Sequence, residues 1–241
     1  MKTIGLIGGM SFESTTVYYE RLNNMARDWF GGLASAEILL HSVNFADIVA
    51  LQKSGRWDDA ARRLAGIAAN LEKAGADYVL ICTNTMHKVA AEVASAVSVP
   101  LINIIDETAV ALKASGCRRP LLLATRYTME DGFYHAQMAD HGVEVVTADQ
   151  QDRDRIHAII FDELCKGRAE ESSRAEMLAI IEKMKSSGAD SIILGCTEIC
   201  LLLDPANLVL PGFDSTLIHC EAAARFAFAE ETPLEAERKY A

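Results

Sequence analysis

Two stretches of the chain repeat one another 113 residues apart, "LEKAGADYVLICTNT" (71–85) and "MKSSGADSIILGCTE" (184–198). Each reads as a helix end, a Gly-Ala-Asp turn and an apolar strand. A period of this length exceeds a solenoid unit and matches one small α/β domain, so the repeat predicts two strand-bearing halves. The competing reading is chance, because Gly-Ala-Asp between helix and strand is common in α/β proteins.

The rest of the chain supports that architecture. Short apolar runs, "TIGLIGG", "AEILLHSV", "DYVLICT", "PLINII", "RPLLLAT", "VEVVTA", "SIILGCT" and "NLVLPG", read as buried strands of parallel sheet. Amphipathic helical patterns lie between them at 13–29, 57–74, 86–97, 106–115, 128–141, 150–166, 171–187 and 214–229. The alternation predicts an α/β fold whose sites gather at the carboxyl ends of the strands. One half is expected at 1–98, completed by 206–241, and the other at 99–205. The tail "EETPLEAERKYA" reads as a surface helix or a frayed end.

Composition narrows the partners. Half of the 241 residues are apolar, enough for a substantial core, and the formal net charge is −11. That charge disfavours nucleic acid and anionic membranes, which attract Lys/Arg stripes, and leaves a small molecule as the expected partner. There is no run of 18 apolar residues, and "MKTIGLIGGMSFES" turns polar after a few residues. Neither a membrane span nor a secretory signal is expected, and a cytoplasmic location follows. The six cysteines are too scattered for a disulfide scaffold.

Aligned without a gap, the repeat pairs Gly75 with Gly188, Cys82 with Gly195 and Thr83 with Cys196. A one-residue gap would instead make Cys82 the partner of Cys196, but a gap in a buried strand turns its side chains to the other face. The ungapped alignment is favoured. It sets Thr83, followed by Asn84 and Thr85, at one strand end and Cys196, followed by Thr197 and Glu198, at the equivalent one. Two acid/base groups suit a reaction that removes a proton from one face of a carbon and returns one to the other. The polar residues after each strand would open helices and hold a carboxylate on backbone N–H groups, or would simply cap those helices.

Gly5, Gly8 and Gly9 do not form G-x-G-x-x-G, and the loop has no Walker Lys, so no nucleotide is expected. The Gly-Gly turn reads instead as a place where backbone approaches a small ligand, with Met10 and Ser11 at the rim. Cys196-x₃-Cys200 lacks a matching ligand pair, and no metal is expected. His87 and His219, near strand ends, read as structural.

With "IGLIGGMSFEST" (4–15), "CTNTMH" (82–87), "IIFDEL" (159–164), "ILGCTEI" (193–199) and "FDSTLIH" (213–219), the chain resembles the aspartate/glutamate racemase family over nearly its whole length. The resemblance implies two pseudo-symmetric flavodoxin-like halves with the active site in the cleft between them, a homodimer and no cofactor. Most such racemases carry a Cys-Asn-Thr motif; here Thr83 stands at the Cys position and Cys82 one residue too early. That substitution resembles a Cys/Thr subgroup directed at L-aspartate and L-glutamate, with Cys196 and Thr83 catalytic. The resemblance further implies that Asn84, Thr85 and Thr197 hold the α-carboxylate and that Gln52 and Lys166 reach the side-chain carboxylate; Met10, at the rim of the Gly-Gly turn, and Glu198, beside Thr197, are expected to contact the substrate as well. The alternatives are a dicarboxylate decarboxylase or cis-trans isomerase of the same fold, or an inactive amino-acid-binding protein.

Overall fold

The structure, a computed structural model, describes residues 1–229. It divides into two compact units, one holding Met1–Asn103 and, among the described residues, 219–229, the other Ile104–Ile218.

The first unit runs β1 (Ile4–Gly8), α1 (Phe12–Phe30), β2 (Ile38–Ser42), α2 (Phe45–Lys53), α3 (Trp57–Lys73), β3 (Tyr78–Ile81), a 3₁₀ turn at Thr85–Val89, α4 (Ala90–Ser95) and β4 (Leu101–Ile102). Its four strands are parallel in the order β2-β1-β3-β4. β1 and β3 are central, which is why both read as unbroken apolar runs: helices cover each face, and every side chain is buried. One core layer joins Ile7, Ile48, Leu64 and Ile81; the other joins Leu6, Tyr18, Leu80 and Cys220.

The second unit runs α5 (Ile104–Ala114), β5 (Pro120–Leu123), α6 (Arg126–Glu130), α7 (Phe133–Asp140), α8 (Gln150–Ala158), α9 (Glu171–Ser186), β6 (Ser191–Leu194), β7 (Gly212–Asp214) and α10 (Ser215–Phe228), the last crossing the unit boundary. β5-β6-β7 is again parallel. Leu121, Leu122, Ile160, Ile181, Ile192 and Ile193 lie in its single core.

The repeat is present in both units down to individual hydrogen bonds. After α3, Ala76 N–H donates to the Leu71 carbonyl (3.0 Å) and Gly75 N–H to that of Glu72 (2.9 Å); after α9, Ala189 donates to Met184 (3.0 Å) and Gly188 to Lys185 (3.0 Å). Both glycines lie at positive φ, +102° and +92°, the left-handed residue that ends a helix this way. Asp77 then accepts the Thr3 N–H (2.6 Å) ahead of β1, and Asp190 accepts the Arg118 and Arg119 N–H groups (2.7 and 2.8 Å) ahead of β5. In each unit the Asp of Gly-Ala-Asp ties the turn to the neighbouring strand.

Several expected elements differ. The run "NLVLPG" is not a strand: Leu208 and Leu210 pack on the core from a loop, and the strand begins only at Gly212. β7 pairs with β6 in the second unit (Ile193↔Phe213), so the last strand does not return to the first half, and the boundary falls at 218/219 instead of 205/206. An apolar run reports burial and carries no information about which backbone it pairs with. "VEVVTA" makes only a single bridge, Val146 to Leu121, and "PLINII" gives two strand residues before α5 starts at Ile104.

The predicted helix at 128–141 is broken at Gly132 (φ +79°), and that at 150–166 widens after Ala158 into a π turn, Ile159–Glu163, then a 3₁₀ turn, Leu164–Lys166. α2 was not expected; Asn44 caps it by accepting the Ala46 N–H. The tail helix reading at 230–241 lies outside the described residues. No helix among the described residues is long and apolar enough to cross a membrane.

Candidate active site

In the first unit the site residues follow β3. Cys82 still belongs to the sheet: its N–H donates to the Ile7 carbonyl (3.0 Å), and its side chain is fully buried. Burial pushes this thiol well up, and the nearby Cys220 adds to the effect. Thr83, the next residue, is the first to be partly exposed. Its N–H donates to the Ile81 carbonyl (2.8 Å). The Ser14 hydroxyl donates to the Cys82 carbonyl (3.3 Å), and His87 Nδ1–H donates to that of Thr83 (2.8 Å).

Asn84 and Thr85 are buried at the entry to the turn Thr85–Val89. The residues after both repeat strands open 3₁₀ turns, the first leading into α4. Gln52 is buried on α2 and reaches this loop, its Nε2 donating to Met86 Sδ at 3.2 Å.

The Gly-Gly turn after β1 is filled by the protein itself. A Cβ at Gly8 would lie 2.5 Å from Thr15 Cγ2, and one at Gly9 (φ +86°) 2.3 Å from the Val43 carbonyl oxygen. These glycines let α1 and the end of β2 close on β1, where a ligand was expected to approach. Met10 is buried in the same core layer as Ile7 and Ile81.

In the second unit the equivalent register places Gly195 at the buried position and Cys196 at the first partly exposed one. A Cβ at Gly195 would stand 2.9 Å from Leu122 Cδ1. Cys196 Sγ donates to Glu198 Oε2 at 3.0 Å, while Cys165 Sγ makes a longer contact of 3.9 Å with Glu198 Oε1. Glu198 is 5% exposed, so a buried carboxylate receives two thiols. Burial, then the Glu198 charge, then Cys165 push the Cys196 thiol well above its ordinary value.

The Thr197 and Thr216 hydroxyls are 2.9 Å apart. Asp214 caps α10 by accepting the Thr216 and Leu217 N–H groups (2.9 and 3.1 Å), and the Ser215 hydroxyl donates to the Leu194 carbonyl at the end of β6 (2.9 Å). Thus "FDSTLIH" is the element that fixes the end of β6.

The expected residues therefore gather as two sets: Thr83, Asn84 and Thr85, with Gln52 touching their loop, and Cys196, Thr197 and Glu198. Lys166 lies on the exposed end of its turn, 3.3 Å from Asp162. Its neighbour Cys165 turns inward to Glu198, a role no spacing signalled. Ser14 lay unremarked inside "IGGMSFEST", and His87 read as merely structural. Among the described residues no group of three or more His, Cys, Asp or Glu side chains could hold a metal ion.

Comparison with known proteins extends these observations. The Asp/Glu/hydantoin racemase family model matches residues 7–223. The broad specificity amino-acid racemase RacX of Bacillus subtilis (strain 168) is 24% identical over 221 residues, covering 88% of this chain and 92% of that protein. A crystal structure from Yersinia pestis, assigned as an Asp/Glu racemase, shares 47% identity at a TM-score of 0.88, covering 94% of this chain and 99% of that one. An aspartate racemase homologue from Pyrococcus horikoshii OT3 shares 34% identity at a TM-score of 0.83, with the same coverages. By its β3 and β6 strand ends, its fold and these likenesses, the chain belongs to the Asp/Glu/hydantoin racemase family.

Proposed function

We propose that the chain is a cofactor-independent racemase of L-aspartate or L-glutamate, in which Cys196 removes the α-proton from the L-enantiomer and Thr83 protonates the opposite face. The observation that carries this reading is the shared register of β3 and β6: in each, the first partly exposed residue after the buried strand bears a proton-transferring group. The buried Cys82 thiol is the weaker candidate on the same ground.

Cys196 must lose its own proton before it can take another, and the Glu198 carboxylate 3.0 Å away is the acceptor. A thiol whose pKa is held high yields a more basic thiolate, which suits a carbon acid as weak as an amino acid's α-C–H. The negative charge that develops on the substrate falls to hydrogen bonds from Asn84, Thr85 and Thr197. A hydroxyl gives up a proton to a carbanion readily but is a poor base, so the pair is lopsided. The equilibrium constant of racemisation is one, so the two directions share the same kcat/KM and differ only in kcat and KM separately.

A broader substrate range is the second reading. The Bacillus subtilis relative is described as a broad specificity amino-acid racemase, and Gln52, expected at the substrate side chain, is engaged with Met86 and brings no charge. Turnover of an apolar L-amino acid at a kcat/KM comparable to that for L-aspartate would favour this range over the narrow one.

The chemical assignment is tested by replacement. Cys196→Ala abolishes α-deuterium uptake from D₂O into the L-substrate, whereas Cys82→Ala retains most of it, both followed by NMR. The reverse pattern would make Cys82 the partner in the chemistry.

A further inference from the structure

The geometry points to His87 and Ser14 as positioning residues that clamp the Thr83 backbone from both sides and so aim its hydroxyl for proton delivery. This rests on the reading of Thr83 as the second acid/base group. A residue's conformation is set by the two rigid peptide planes that meet at its Cα. In the sheet the ladder holds those planes, but here the ladder stops at Cys82, whose N–H makes the last bond to β1.

Beyond that point other groups take over. The plane before Thr83 is held at both ends, its N–H by the Ile81 carbonyl (2.8 Å) and its Cys82 oxygen by the Ser14 hydroxyl (3.3 Å). The plane after Thr83 is held through its carbonyl oxygen by His87 Nδ1–H (2.8 Å). A carbonyl only accepts, so His87 must carry its proton on Nδ1 in this arrangement.

His87 is in turn backed by a fixed neighbour. Its ring lies edge to face with that of His219, centroids 5.8 Å apart. His219 Nε2–H donates to the Ile102 carbonyl (2.8 Å), and its Nδ1 accepts from the Tyr18 hydroxyl (2.8 Å). The clamp therefore reaches from the Thr83 loop into the core between α1 and α10. On the Cys196 side the equivalent carbonyl accepts the Ile199 N–H of its own turn (3.1 Å). A short hydroxyl has less reach than a thiol, and proton transfer demands its placement within hydrogen-bond distance.

The test uses the whole protein with L-aspartate and L-glutamate in D₂O, measuring two quantities in one reaction. Deuterium uptake with retained configuration reports the Cys196 half-reaction, in which the proton taken from the substrate is exchanged for the deuteron held by Glu198, 3.0 Å away, before return to the same face; formation of the D-enantiomer reports delivery from Thr83. His87→Leu is expected to lower inversion by about tenfold or more while uptake with retention stays within about twofold. His87→Gln, which keeps an N–H donor, should recover a large part of the inversion. Ser14→Ala should show the same selective loss to a smaller degree, and it decides the matter if His87→Leu fails to fold. Unchanged inversion, or inversion and uptake falling in parallel in the folded variants, would overturn the clamp. Absence of any uptake in the unaltered protein would instead overturn the racemase reading itself.

Discussion

At the scale of single residues, the proposed chemistry turns on one step of register. Cys82 and Thr83 are adjacent, yet Cys82 packs with Cys220 in the core and Thr83 begins the partly exposed turn. This distinction was legible in the sequence, because strand side chains alternate and the ungapped repeat sets Cys82 against Gly195, where a Cβ would strike Leu122. The partners of the reactive groups were not legible. Cys165 and Glu198 are 33 residues apart in the chain, and only folding brings them together.

The Cys196–Glu198 contact makes its own prediction. Glu198→Gln removes a negative charge and an anionic acceptor, two of the causes that hold the thiol high, so thiolate should form at lower pH while burial keeps part of the elevation. The pH dependence of Cys196 alkylation by iodoacetamide, read by mass spectrometry, should shift downward in the variant. An unchanged or upward shift would mean that Glu198 does not govern the thiol.

At the scale of elements, helices α1, α3 and α9 and strands β1, β3, β5 and β6 were legible, because each combines an unbroken apolar pattern with a distinct stop such as Gly75 or Gly188. β7 was not: three residues with a glycine carry no periodicity, and its apolar neighbours drew the strand too early. The π turn after α8 was equally hidden, since a local widening leaves the spacing of apolar residues nearly helical.

Helix α10 contributes a pH-dependent element. His219 on it is fully buried, and burial first, then the neighbouring His87, lower its pKa to about 3. Above the unfolded value, about 6.5, the ring is neutral folded and unfolded, and it adds no pH dependence. Below that, the unfolded chain binds a proton that the folded one refuses, so stability falls by about 1.4 kcal/mol per pH unit until the pH nears the folded value. Urea unfolding at pH 6 and pH 5 should show a loss in the unaltered protein about 1 kcal/mol larger than in His219→Gln. Equal losses would contradict a neutral, buried His219.

At the scale of the whole molecule, the two units share a helix stop, an Asp-tied turn and a buried strand, and each ends that strand on a group able to move a proton. The overall α/β plan was legible because a long internal repeat limits the chain to two similar halves. The division between them was less so, because α10 runs through the boundary.

The most direct test of the account is incubation of the purified, unaltered protein with L-aspartate and L-glutamate in D₂O without added cofactor, following the α-carbon by NMR and the enantiomers by chiral chromatography. The account predicts deuterium at the α-carbon and conversion of at least one substrate toward an equal mixture of enantiomers. Binding of both acids with neither deuterium uptake nor loss of optical rotation would contradict it.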